Sequence, residues 1–152
     1  MAQKPAKLDI QIKRAYLPPS TDDGVRVLVD RLWPRGLRKS EAAIDRWLKE
    51  VAPSTELRRW FGHDPSRWQE FCRRYRSELS CNAALLNELR AMAKEKRLTL
   101  VYAARDELHN EAVMLRDVLI HRRGLRRALA QRGPLRLAPW RPSQAPHLRR
   151  RH

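Results

Sequence analysis

The chain has 152 residues, 42% of them hydrophobic, which suits one globular domain with its own core. Its formal charge is +16, but no acidic residue follows Asp117 and residues 118–152 carry ten arginines, so most of the excess lies in the C-terminal segment. No apolar run approaches the roughly 20 residues that span a bilayer, and the N-terminus has no signal-type hydrophobic segment, so we expect a cytoplasmic protein with no membrane partner.

The first predicted elements are two strands. After a flexible lead over residues 1–7, apolar residues alternate with polar ones from Leu8 to Lys13, the period of a half-buried strand. The turn-forming residues 17–24 follow. A second strand is predicted over 26–33, and it ends where Pro34 removes a hydrogen-bond donor and Gly36 permits a turn.

Four helical segments are predicted next. Ser40 can cap a helix with Ile44, Trp47, Leu48 and Val51 on one face. A short helix begins at Pro53-Ser54 and ends near Phe61-Gly62. Asp64 and Pro65 form a strong start signal for the third, and Asn82 caps the fourth.

A third strand is predicted in the apolar run that begins at Leu98, and it changes to a helix at Arg105-Asp106, with Asp106 at the N-cap. Because helices separate the strands, the strands should run parallel. The sequence therefore predicts an α/β fold: a single domain over residues 8–121, built on a small, mainly parallel sheet flanked by helices.

Three separated stretches resemble one known family. They are Val27 to Gly36, Trp60 to Asp64 with Trp68 and Phe71, and Tyr102 to Asn110. In this order they resemble the YeaO-like family of small uncharacterised bacterial proteins (domain of unknown function 488), over roughly residues 8–120. The resemblance implies a compact bacterial α/β domain, and it carries over no settled activity. Leu108 departs from the acidic residue expected at its position, and the arginine-rich tail lies outside the resemblance.

Two charged corners follow the second and third strands, and both should face the crevice at the carboxyl ends of a parallel sheet. The expected ligand is a small anionic or nucleotide-like compound, held by forked guanidinium donors. The predicted ligand-binding residues are Arg31, Trp33, Arg35, Arg105 and Asn110. The candidates for proton transfer are Asp30, Asp106 and His109. In the structural alternative these acids pair with the arginines and cap elements.

Other site classes receive less support. His63 is a neighbour of the capping Asp64, and Cys72 belongs to an apolar helix face. Cys72 and Cys81 lack the spacing of a zinc site or a disulfide framework, and no paired metal-ligand spacing occurs. The five glycines form no phosphate-cradling loop, so no cofactor is predicted.

The tail, residues 122–152, is predicted to be largely disordered, because it is rich in arginine and interrupted by prolines. It supports an alternative function, non-specific nucleic-acid binding through neutralised phosphates. The residues of this alternative are Arg122, Arg123, Arg126, Arg127, Arg149, Arg150 and Arg151. The sequence does not predict an oligomeric state.

Overall fold

A computed structural model of the protein describes residues 8–121, and the predictions for residues 1–7 and 122–152 lie outside this range. The strands are β1 (Ile10–Arg14), β2 (Val25–Leu28), β3 (Arg46–Trp47) and β4 (Leu98–Tyr102). The helices are α1 (Lys39–Ala42), α2 (Thr55–Phe61), α3 (Trp68–Ser80), α4 (Ala83–Glu95) and α5 (Glu111–Ile120).

The four strands form one sheet in the order β1-β4-β2-β3, and every pairing is parallel. The fully buried β4 lies between β1 and β2, with Ile10 opposite Leu98 and Val27 opposite Leu100. This confirms the predicted α/β fold with a parallel sheet. The carboxyl ends of β1, β2 and β4 consequently meet at one edge of the sheet.

The main core lies between one face of the sheet and helices α2 to α5. Apolar residues from both layers are buried there, which removes their surface from water and drives the packing. The largest of them with almost no exposure are Tyr75, Leu57, Leu79, Leu86, Leu89, Leu98, Leu100, Leu115 and Leu119.

The opposite face of the sheet has a smaller cluster, in which Trp33 and Trp47 pack against Leu28 and Val101. Nearer the start of β2, the same face of the sheet carries buried polar residues. Buried Asp23 accepts hydrogen bonds from Lys13 at 3.0 Å and from Arg26 at 2.6 Å. Burial alone would raise the pKa of Asp23, but its hydrogen bonds from Ser20, Lys13 and Arg26 outweigh burial and lower it.

The prediction of one helix from Ser40 through Val51 is wrong. Helix α1 ends at Ala42, because Ala43 adopts a left-handed conformation with φ of 51°. Asp45 N then donates to Arg26 O at 2.8 Å, and the chain continues as β3 beside β2. Backbone pairing with a distant strand therefore prevails over the local apolar periodicity, and the sheet gains a fourth strand.

Two element boundaries also differ from prediction. Strand β2 ends at Leu28, five residues before the predicted end, because the backbone then turns into the first charged corner. Helix α5 begins at Glu111 and its N-cap is Asn110, whose side chain accepts from Ala112 N and Val113 N. Asp106 is not the cap of α5, because it closes a turn that precedes the helix.

The positions of the remaining predicted helices are confirmed. Ser54 caps α2, which ends at Gly62 in a left-handed conformation. Asp64 caps a short 3₁₀ turn with Pro65 at its first position, and α3 continues from that turn. Asn82 occupies the N-cap position of α4 without a capping hydrogen bond from its side chain. None of the helices in residues 8–121 combines the length and apolarity needed to cross a bilayer.

Candidate functional site

A cavity of about 740 Å³ opens at the carboxyl ends of β2 and β4. Its buried wall includes the aromatic rings of Phe61 and Phe71, whereas Arg35, Arg58 and Arg105 are exposed at its mouth. The charged residues that line it are Asp30, Arg31, Arg35, Arg58, Arg105, Asp106 and Glu111. Ligand cavities in proteins are commonly of this size, and they combine apolar walls with a few polar groups.

Asp30 connects the two strand ends. It lies two residues after β2, and its Oδ2 accepts a hydrogen bond of 3.0 Å from Ala103 N, just beyond β4. Its other oxygen, Oδ1, is buried and receives no hydrogen bond from an N–H group of the described residues. The Asp30 carboxyl also has a side-chain hydrogen bond with Glu111, so the two acids form one buried cluster beside the cavity.

Glu111, the first residue of α5, lies beside Asp30. Burial raises the pKa of the Glu111 carboxyl well above 4.5, and the hydrogen bond and negative charge of Asp30 raise it further. An acidic residue in the first turn of a helix is usually favoured in its charged form. Here burial and the neighbouring acid prevail, so the protonated form of the Glu111 carboxyl is favoured over a higher pH range than in an exposed glutamate.

Arg31 is held by the backbone. Its Nε donates to Pro53 O at 3.1 Å and its Nη2 donates to Ala52 O at 3.2 Å, immediately before α2. The next residue, Ser54, donates to Glu78 from both its backbone N and its Oγ, at 2.8 and 2.6 Å. These bonds fix one wall of the cavity and occupy part of the Arg31 guanidinium.

Burial raises the pKa of Glu78, although the bonds from Ser54 and the charge of Arg31 oppose that rise. The Glu78 carboxyl is therefore protonated over a higher pH range than an exposed glutamate.

Arg35, Arg58 and Arg105 line the cavity without comparable anchoring. Within residues 8–121, none of their guanidinium groups has a hydrogen bond or an ion pair with another residue. Arg35 and Arg105 come from the two predicted corners, and Arg58 comes from α2. Their donors are available to an anion that enters the cavity.

His109 and Asp106 form a pair on the second corner. His109 Nδ1 lies 2.9 Å from Asp106 Oδ2, and the His109 ring meets Trp68 edge-on at 5.2 Å. The hydrogen bond from His109 is the largest cause that lowers the pKa of Asp106, and backbone donors from Leu108 and His109 add to it. An acid that orients a histidine is an arrangement used for proton transfer, and it is also common in structural turns.

The structure brings seven of the eight predicted crevice residues to this cavity: Asp30, Arg31, Arg35, Arg105, Asp106, His109 and Asn110. Trp33 is elsewhere, because its Nε1 donates to Leu37 O at 2.7 Å and its ring packs on Trp47. The tail arginines of the nucleic-acid alternative lie outside the described residues.

The structure also describes the surroundings of Cys72 and of the histidine, cysteine and acidic residues that could bind a metal. The Cys72 thiol is half-buried, and burial raises its pKa to about 11, so it is a poor nucleophile at neutral pH. Residues 8–121 contain no cluster of three or more histidine, cysteine, aspartate or glutamate side chains that could hold a metal ion.

Sequence reasoning did not assign Arg58, Glu111, Phe61 and Phe71 to the site. Arg58 and the two phenylalanines lie on helices whose position over the strand ends depends on tertiary packing. Glu111 offered a signal, since it directly follows a predicted corner. At the start of a helix, however, an acidic residue has a sufficient local explanation.

Comparison with known proteins identifies the family. The model described as "Inactive DUF488-N3 subclade" matches residues 9–134. The uncharacterized protein YeaO of Escherichia coli (strain K12) is 43% identical over 112 residues, which cover 74% of this chain and 97% of YeaO.

The uncharacterized proteins Mb3100c of Mycobacterium bovis and Rv3073c of Mycobacterium tuberculosis (strain H37Rv) are each 44% identical over 110 residues. Those residues cover 72% of this chain and 92% of each relative. No solved structure matches. Since the family model spans most of the chain and the relatives align over nearly their full length, the protein belongs to the YeaO-like DUF488 family.

Proposed function

We propose that the protein binds a small anionic ligand, of the size of a sugar phosphate or a nucleotide, in the cavity at the carboxyl ends of β2 and β4. The observation that carries the proposal is the position of Arg35, Arg58 and Arg105 around one cavity, with guanidinium donors that no described residue occupies. Guanidinium groups recognise phosphate and carboxylate through paired, charge-assisted hydrogen bonds.

The architecture supports the same location. In parallel α/β sheets, ligands commonly bind in the crevice beyond the carboxyl ends of the strands. The cavity of about 740 Å³ accommodates a compound of this size, and Phe61 and Phe71 provide an apolar wall for its uncharged part.

Binding is favoured over turnover. The matched family is described as inactive, and that word speaks against a reaction at this site. If the site does catalyse proton transfer, the candidates remain Asp30, His109 and its partner Asp106. The proposal places the protein in the cytoplasm, where small phosphorylated compounds are available to it.

The test is a thermal-shift screen of the full-length protein. The ligands are inorganic phosphate, ribose 5-phosphate, adenosine monophosphate and citrate, at low and high salt, with a short DNA duplex as comparison. A ligand at about 100 times its Kd stabilises the native state by about 2.7 kcal/mol, which raises the Tm by several degrees.

Arg58→Gln should abolish the shift. Arg59→Gln is the matched control, because Arg59 is the exposed neighbour on α2 and does not line the cavity. High salt should weaken the effect, since exposed charges are screened. An equal shift in Arg58→Gln and the unmodified protein would overturn the proposal, as would no shift with any small anion. A shift with DNA alone, unchanged by Arg58→Gln, would instead favour the tail as the binding element.

A further inference from the structure

We propose that the ligand of this cavity is an organic anion with an apolar body, such as an aryl phosphate, and that this body lies against Leu32. The inference rests on the proposed function, because the arginines would hold the anionic group. It adds a second requirement, which the rest of the cavity surface places on the uncharged part of the ligand. A sugar phosphate of the same size meets only the first requirement.

The surface that the cavity presents is mainly apolar. Apolar atoms contribute most of it, and the apolar side chains that line the cavity include Leu32, Pro53, Phe61, Phe71, Ala103 and Ala104. Leu32 is 62% exposed, although it is a large apolar residue. A ligand with an apolar body would cover this side chain, and removing both apolar surfaces from water favours binding.

Aromatic rings form one part of this surface. Phe61 stacks with Phe71 at a centroid distance of 4.5 Å, and the His63 ring lies 6.3 Å from Phe61. All three rings line the cavity, and the exposed His63 continues the group of two buried phenylalanines to the protein surface. Aromatic rings attract a further ring beyond the effect of the area they bury, so an aryl group suits this wall.

The neutral hydrogen-bonding side chain of the cavity is already satisfied. Within residues 8–121, Asn110 is the one amide or hydroxyl side chain that lines the cavity. Its Nδ2 donates to Asp106 O at 2.9 Å, and its Oδ1 accepts from Ala112 N and Val113 N. Asn110 therefore holds the start of α5 in place and is occupied when a ligand enters.

The acids that line the cavity are bonded within the protein as well. Asp30 is bonded to Ala103 N and to Glu111, and Asp106 is bonded to the backbone and the ring of His109. The hydroxyl groups of a sugar would give up water for acceptors that are already in use, which costs free energy. An apolar body does not meet this cost.

The experiment is isothermal titration calorimetry of the full-length protein with naphthyl phosphate and ribose 5-phosphate. The two esters have the same anionic group and nearly the same mass, and they differ in an aromatic or a hydroxylated body. We expect naphthyl phosphate to bind about ten-fold or more tightly, since burial of about 60 Å² of apolar surface supplies that factor.

Leu32→Ser should weaken the binding of naphthyl phosphate by about three-fold or more and leave ribose 5-phosphate within about two-fold. The variant should fold, because the side chain it replaces is mostly exposed. Leu108→Ser is the matched control, since Leu108 is 72% exposed and does not line the cavity. Arg58→Gln should weaken the binding of both esters.

Equal affinity for the two esters, or tighter binding of ribose 5-phosphate, overturns this inference while the proposed function stands. An equal loss of naphthyl phosphate affinity in Leu32→Ser and Leu108→Ser also overturns it, because the aryl group would then not lie against Leu32. Absence of binding by both esters overturns the proposed function together with this inference.

Discussion

Glu111 at the start of α5 hydrogen-bonds Asp30 beyond the end of β2, and this contact adds to burial in raising the pKa of the Glu111 carboxyl. Both acids line the cavity together with its arginines and with Phe61 and Phe71. Two acids in this position are costly when both are ionised, so the folded protein favours the protonated form of Glu111 over a wider pH range. This arrangement makes the stability of the protein depend on pH.

The first prediction concerns that dependence. Because the folded state raises the pKa of Glu111 above 4.5, the stabilisation that comes from protonated Glu111 is fully present below that pH. This stabilisation is lost as the pH rises through the raised pKa. The free energy of unfolding should therefore fall by up to about 1.4 kcal/mol per pH unit in this window.

Glu111→Gln should flatten this slope, since the amide keeps the shape and does not titrate. Denaturant unfolding of both proteins between about pH 5 and about pH 9 measures it. In both proteins Glu78 should add a smaller dependence of the unfolding free energy on pH, because burial also raises its pKa. Glu95→Gln, on an exposed residue of α4, is the control. Parallel curves for Glu111→Gln and the unmodified protein would show that Glu111 is not protonated in the fold.

The second prediction concerns the bridge between the ends of β2 and β4. Asp30→Ala leaves Ala103 N without its acceptor and should cost about 1–3 kcal/mol of unfolding free energy. Asp30→Asn keeps one oxygen for Ala103 N and should cost clearly less. Urea unfolding of the two variants compares them. Equal losses would mean that the hydrogen bond to Ala103 does not contribute.

The third prediction concerns the wall that holds Arg31. Ser54 caps α2 through Leu57 N and also donates to Glu78, so Ser54→Ala removes both interactions. We expect a loss of about 1–2 kcal/mol in the free energy of unfolding. Ser40→Ala on the exposed face of α1 should change it by less than about 0.5 kcal/mol. Similar values for the two serines, from urea unfolding, would contradict the role given to Ser54.

The fourth prediction compares two glycines with positive φ. A Cβ on Gly36, with φ of 79°, would meet nothing within 4 Å, so Gly36→Ala should cost only the backbone term of about 1–2 kcal/mol. A Cβ on Gly24, with φ of 65°, would lie 2.2 Å from Arg97 O. Gly24→Ala should therefore lower the Tm more than Gly36→Ala. The reverse order would contradict the close approach of the backbone at Gly24.

The sequence predicts those elements whose signals are local. Alternation identifies β1, an apolar run identifies β4, and Asp64 with Pro65 marks the start of the segment that leads into α3. The parallel sheet follows from strands separated by helices. The crevice then follows from two charged corners at strand ends, and seven of the eight residues chosen for it line one cavity.

The missed features depend on non-local contacts. Strand β3 has two residues and exists because Asp45 and Leu48 bond the backbone of β2, so its apolar pattern alone resembles a helix. Trp33 belongs to a corner by sequence, but its ring packs away from the cavity, on Trp47. Arg58 reaches the cavity only because α2 packs over the strand ends.

The central claim is that the cavity binds a small anion through its arginines, and a crystal structure of the full-length protein with ribose 5-phosphate at saturating concentration tests it most directly. The account predicts the phosphate within hydrogen-bond distance of the guanidinium of Arg58 and of Arg35 or Arg105. Ribose 5-phosphate bound elsewhere on the protein, with the cavity empty, would contradict it.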